Sequence, residues 1–75
     1  MRKKYIGKTS PFSLINGKVY DILSVENGWY RIIDETEEDY LYPPIFFVEE
    51  DEEGDLDMTV HEWIMEHLKM VEPRG

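Results

Sequence analysis

The stretch from Lys18 to Val48, KVYDILSVENGWYRIIDETEEDYLYPPIFFV, decides how this chain folds. Near its centre, Asn27-Gly28 separates two apolar runs. A two-residue hairpin loop of type I′ needs positive φ at both central positions, and Asn-Gly accepts that backbone most readily. A loop there sets a register in which Glu26 faces Trp29, Val25 faces Tyr30, Leu23 faces Ile32 and Asp21 faces Asp34. Residues two apart share one face of a strand. One face thus carries Val19, Leu23, Val25, Tyr30 and Ile32 and is the expected core side. The other carries Tyr20, Ile22, Ser24, Glu26, Trp29, Arg31 and Ile33, and leaves Tyr20, Ile22 and Ile33 as an apolar patch that needs a cover.

Downstream of the hairpin, residues 34–39 (DETEED) read as a polar turn and 40–42 (YLY) as a short strand. Pro43-Pro44 removes two backbone donors and biases Tyr42 towards an extended conformation. A single 3₁₀ turn and a last strand at 46–49 are expected after it. Upstream, residues 2–9 (RKKYIGKT) form a first strand with Ile6 inward and lysines of the kind that protect a sheet edge. The loop at 10–17 carries Phe12, Leu14 and Ile15, which are expected to fold over the core before a second turn at Asn16-Gly17.

Residues 49–57 (EEDEEGDLD) form an acidic linker, and the segment after it has the period of an amphipathic helix. Val60, Trp63, Ile64, Leu68 and Val71 make one apolar stripe at 3.6-residue spacing. Thr59 and Glu62 have the spacing of a capping box, and Met58 is placed to meet Trp63 as a hydrophobic staple. Pro73 stops the helix, which is predicted over roughly 59–71. So short an amphipathic helix is marginal alone, so its stripe is expected to cover the outer face of the hairpin, in the same chain or in a second copy.

The chain has 75 residues and no cysteine. A domain of this size buries on the order of 60% of the surface its unfolded form exposes, and here neither disulfides nor thiolate-bound metal can add stability. No apolar stretch approaches the length of a membrane span, and the basic N-terminus lacks the apolar region of a signal peptide, so a soluble cytoplasmic protein is expected. The net charge is −9 and unevenly spread: residues 1–18 hold five bases and no acid, while Asp34–Asp57 holds twelve acids and no base. Such a surface repels a phosphate backbone, which argues against direct nucleic-acid binding.

Chemical motifs are weak. Glu49, Asp51, Glu53, Asp55 and Asp57 fall at alternate positions around Gly54, as in a calcium loop, but the twelfth position is Val60 where a bidentate Glu belongs. His61 and His67 are six residues apart, whereas a zinc-protease helix needs its second His at the position of Met65. No nucleophile elbow and no phosphate-cradling glycine loop occur. No catalytic residue, metal site or cofactor is therefore assigned.

Two segments carry a family resemblance. Asn27-Gly28-Trp29-Tyr30-Arg31-Ile32 resembles the G-[DN]-W-W-x-A strand of SH3 domains, and Tyr40-Leu41-Tyr42-Pro43-Pro44-Ile45-Phe46-Phe47 resembles their G-Y-I-P-x-N-Y-V segment. The likeness spans about residues 3–50 and extends to short bacterial proteins of SH3 type. It implies an SH3-like small barrel of about five antiparallel strands over 1–50; with the acidic linker over 51–58 and the C-terminal α-helix over 59–72 read from the residue pattern, a mainly β fold is expected. It also implies that Trp29, Pro43 and Phe46, with Tyr42 beside them, line an outward groove that binds a partner. The aromatic ALYDY-type motif of the family has no counterpart, so half of a proline-peptide groove is missing. The expected function is a non-catalytic protein-interaction module binding another protein or peptide, with no membrane and no direct nucleic acid involved. The alternative is an acidic regulator or decoy that occupies a basic, nucleic-acid-binding partner. Homodimerisation through the helix is a third arrangement.

Overall fold

Asn27 and Gly28 take φ of 53° and 82°, the left-handed pair that a two-residue hairpin loop requires. They sit in a computed structural model that describes residues 1–10 and 13–71, with helix side chains described as far as His67. The strands are β1 (Arg2–Tyr5), β2 (Val19–Asp21), β3 (Ser24–Glu26), β4 (Trp29–Ile33), β5 (Asp39–Tyr42) and β6 (Phe47–Val48). A 3₁₀ turn, Pro44–Phe46, precedes β6, and one helix, α1 (Val60–Val71), ends the described chain. The fold is mainly β: two three-stranded antiparallel sheets, ordered β2-β1-β6 and β3-β4-β5. No ladder among the described residues joins them into a closed barrel.

Across the Asn27-Gly28 loop, Glu26 pairs with Trp29, Val25 with Tyr30 and Ser24 with Arg31. There the expected register stops. Asp21 pairs with Arg2 instead of Asp34, and the Leu23 amide donates to the Arg31 carbonyl without a Leu23–Ile32 pair forming. One strand expected over 19–26 is therefore two, shared between the sheets, with the change of partner at Ile22-Leu23. A straight strand buries residues of one parity only. The change of sheet lets Tyr20 and Ile22 turn inward with Ile32, and it leaves Leu23, Val25 and Ile33 about half exposed. Leu23 and Val25 are thus not core residues, and of the expected uncovered patch only Ile33 remains outside.

The core consists of Tyr5, Leu14, Tyr20, Ile22, Ile32, Tyr42, Phe46, Phe47 and Val60, with Tyr30, Leu56, Met58, Trp63 and Ile64 packed against it. Three of these are tyrosines, and each hydroxyl is satisfied at the core's margin. Tyr5 Oη donates to the Lys8 carbonyl at 2.8 Å, Tyr20 Oη to Glu35 Oε2 at 2.7 Å, and Tyr42 Oη to Asp34. A buried tyrosine left unpaired costs stability, so these bonds fix where the loops at Lys8 and 34–38 must lie. Leu14 folds over the core as expected, Ile15 is partly exposed, and Phe12 lies outside the described residues.

The acidic linker is no free tether at its far end. The Leu56 amide donates to the Ile6 carbonyl at 2.8 Å, and the Lys8 amide to the Met58 carbonyl at 2.9 Å. The chain at 6–8 stays this close to the core because Gly7 has no side chain: a Cβ there would lie 2.6 Å from Phe46 Cδ1.

Gly28 has no neighbour within 4 Å of a hypothetical Cβ, so only its backbone constrains it. Gly28→Val is accordingly expected to cost about 1–3 kcal/mol through strain alone. Urea denaturation checks this, and an unchanged midpoint would remove the loop from its controlling role.

Candidate interaction surface

The residues assigned to an outward groove lie mostly inside. Phe46 is fully buried, Pro43 is less than 2% exposed and Tyr42 is 7% exposed. Trp29 remains half-buried at the first position of β4. The expectation of an open surface is therefore corrected at Tyr42, Pro43 and Phe46, and at Phe46 part of the cover is the helix. Trp63 lies edge-on to Trp29, with ring centroids 6.0 Å apart, and edge-on to Phe46 at 6.1 Å. Phe46 in turn stacks on Tyr5 at 6.0 Å. Two of the four assigned residues, Trp29 and Phe46, are thus brought together around Trp63. Tyr42 points elsewhere, to the Asp34 carboxylate, which also accepts from the Thr36 amide at 2.9 Å.

The local sequence explains why Trp63 arrives there. The Thr59 amide donates to Glu62 Oε1 at 2.8 Å, and the Glu62 amide donates to Thr59 Oγ1 at 3.1 Å, which completes the reciprocal capping box. With the first turn fixed, Val60 enters the core while Trp63 and Ile64 pack on its edge. The described part of the stripe, Val60, Trp63 and Ile64, thus docks in the same chain, with Trp63 against Trp29 and Phe46 and with Ile33 left exposed. Leu68 and Val71 of that stripe have side chains outside the described residues, as does Pro73. The His67 ring tilts over Trp63, centroids 3.6 Å apart, with Nδ1 3.1 Å from the Trp63 carbonyl oxygen. His67 therefore packs on the helix's own aromatic face. Among the described residues, no group of three or more His, Asp or Glu side chains is arranged to hold a metal ion, and no helix is long and apolar enough to cross a membrane.

The exterior is where the charge lies, and four of its bases are engaged internally. Arg31 reaches Glu26 through Nε at 2.6 Å and Nη2 at 2.8 Å, and Asp39 through Nη1 at 2.9 Å. Lys18 Nζ is 2.7 Å from Glu35, Lys3 pairs with Glu49, and Arg2 lies 3.7 Å from Asp21 and 3.9 Å from Glu50. The exposed acids Glu37, Asp51, Glu53, Asp55 and Asp57 meet no base among the described residues. The carboxylate of Glu26 is held down to about 2, first by the Arg31 hydrogen bonds and then by that of Ser24. Hydrogen bonding to Lys18 and then Tyr20 lowers Glu35 as well. Burial, followed by the Asp34 bond, raises the Tyr42 hydroxyl.

A carboxyl held below its ordinary value contributes stability above the unfolded value and loses it as pH falls through the folded one. The contribution of Glu26 is therefore present above about pH 4.5 and lost on going down to about pH 2. Glu26→Gln should lower the melting temperature at neutral pH and converge with the parent near pH 2. A difference that persists undiminished at that pH would show the Arg31 clasp to be unimportant.

Comparison of the chain with protein-family models, with curated proteins and with solved structures found no match.

Proposed function

We propose that this chain is a non-catalytic protein-interaction module of SH3-like type, whose partner contacts are made by its acidic exterior. Three features support the SH3-like barrel: β2 and β3 are consecutive yet serve different sheets, a 3₁₀ turn precedes the last strand, and β1 lies between β2 and β6. The observation that carries the functional assignment is the position of Trp63. It takes up the facing edges of Trp29 and Phe46, so the aromatic surface left to a proline-rich peptide is small. The exposed carboxylates of the 34–39 turn and the 49–57 linker lie in solvent instead, available to a basic partner.

The second reading, a decoy for a basic nucleic-acid-binding protein, draws on the linker. Asp51, Glu52, Glu53, Asp55 and Asp57 are all exposed along one short segment. Regularly spaced anions of this kind compete with phosphates for the same lysines and arginines.

Retention of proteins from a native cell extract on the immobilised full chain tests both. A partner held by acidic docking should be retained at ~50 mM salt and released by ~500 mM, because exposed charges are screened over a few ångströms there. A partner retained undiminished at high salt would contradict acidic docking. If the retained partner binds nucleic acid, loss of that binding on adding this chain selects the decoy, and simultaneous binding selects the module.

A further inference from the structure

The change of sheet at Ile22-Leu23 leaves apolar side chains on the outside, uncovered among the described residues. Leu23 is 52% exposed, Ile33 51% and Tyr40 48%, and the three line one open depression of about 510 Å³. A second depression of about 410 Å³ adjoins it, sharing Leu23, Ile33 and Glu37. Together they make a shallow shelf along the end of β4 and the turn to β5, apolar at Leu23, Ile33 and Tyr40 and acidic around them. Contiguous exposed apolar surface rimmed by polar groups marks an interaction site more often than scattered single residues do.

The rim chooses the occupant. The two depressions are bordered by Asp21, Asp34, Glu35, Glu37, Glu38 and Asp39, against a single base, Lys18, whose ammonium is already held by Glu35. Phosphates of nucleic acid or of anionic lipid are repelled here. The basic segment of a second copy, residues 2–8, does not match, because its apolar residues Tyr5 and Ile6 are buried in that copy's own core and Arg2 and Lys3 are already paired.

Glu37 adds an independent sign. It lines both depressions and holds φ at 67°, where glycine or asparagine fits at less cost. A turn selected for stability alone favours glycine at this position. The carboxylate stands where the two halves of the shelf meet.

We propose that Leu23, Ile33 and Tyr40 form the anchoring shelf of the module, which takes a short segment of a partner protein bearing apolar side chains flanked by lysine or arginine. This rests on the interaction-module function proposed above and assigns it a surface. The apolar side chains displace water from the shelf while the flanking cations reach Glu37 and Glu38. The apolar part supplies contact area, and the rim supplies orientation, selection against anionic segments and the salt-sensitive share of the affinity.

The test uses the full chain and a fluorescein-labelled amphipathic peptide of about a dozen alternating Lys and Leu pairs, read by fluorescence anisotropy. Two comparison peptides replace every Leu by Ser or every Lys by Glu. The Lys-Leu peptide should bind at least about tenfold more tightly than the Lys-Ser peptide, and the Lys-Glu exchange should abolish binding. Ile33→Ser and Glu37→Gly should each weaken binding about fivefold or more, with Glu37→Gly melting at or above the parent temperature because strain is relieved. That opposite movement of stability and binding separates a lost site from a damaged fold. Neutralising Asp51, Glu52 and Glu53 together should change affinity less than about twofold. Equal binding of the Lys-Leu and Lys-Ser peptides would overturn the shelf, since charge alone would explain it. Binding that survives both shelf variants but falls on neutralising the linker would also overturn it, while leaving the module function standing. Absence of binding to any peptide, with a salt-sensitive partner still retained from extract, would reject the shelf alone; with none retained, the module function falls too. Self-association of the parent that Ile33→Ser abolishes, seen by sedimentation, would reassign the surface to contact between copies.

Discussion

Trp63 sits edge-on between Trp29 of one sheet and Phe46 of the turn that leads into the other, at 6.0 and 6.1 Å. The contact adds to the core that both sheets share and to the edge-on pair of Tyr30 on β4 with Phe47 on β6, ring centroids 5.7 Å apart. A buried aromatic removes 150–250 Å² from water, so at roughly 25 cal/mol per Å² a half-buried tryptophan contributes about 2–3 kcal/mol. Domains of this size have total stabilities on the order of 5 kcal/mol. The ring therefore supplies a large share, and neighbouring features serve to deliver it. The capping box at Thr59 and Glu62 starts the helix at the right residue, and the backbone bonds from Leu56 and Lys8 bring the linker alongside residues 6–8. Gly7 leaves the room that this approach needs.

The same geometry divides the surface into used and unused parts. Aromatic surface near Trp29 is taken up by the helix, and the tyrosine hydroxyls are taken up by loop acceptors. Most of the bases with a defined partner spend themselves on neighbouring acids, of which Arg31 between Glu26 and Asp39 is the most complete case. What faces solvent among the described residues is an excess of carboxylates, with the shelf of Leu23, Ile33 and Tyr40 set among them. In the proposed interaction module, charge sets approach and orientation and apolar contact sets residence.

Much of this was legible from residue patterns, for identifiable reasons. Asn27-Gly28 specifies its own backbone, so the loop and the first three pairs of the hairpin follow from two residues. Thr59, Glu62 and the apolar stripe specify the helix start in the same local way, and Pro43-Pro44 specifies the 3₁₀ turn. Long-range partners were not legible. Nothing local at Ile22-Leu23 announces that the strand changes sheets, and that change inverts which parity is buried: Tyr20 and Ile22 go in, while Leu23 and Val25 come out. The outward placement of Tyr42, Pro43 and Phe46 was misjudged for a related reason. Resemblance to SH3 segments gave Trp29, Pro43, Phe46 and Tyr42 an outward groove, but the segment that covers it lies outside the resembling stretch. The stripe on α1 signalled that the helix must dock. Its target was set by the linker's hydrogen bonds to residues 6–8, which no periodicity reveals.

The dependence of the whole fold on Trp63 is best measured by equilibrium urea denaturation of Trp63→Ala. Loss of the ring should lower stability by about 2–4 kcal/mol, leaving much of the population unfolded at 37 °C. A variant within about 0.5 kcal/mol of the parent would contradict this account, because the two sheets would then be held together without the helix.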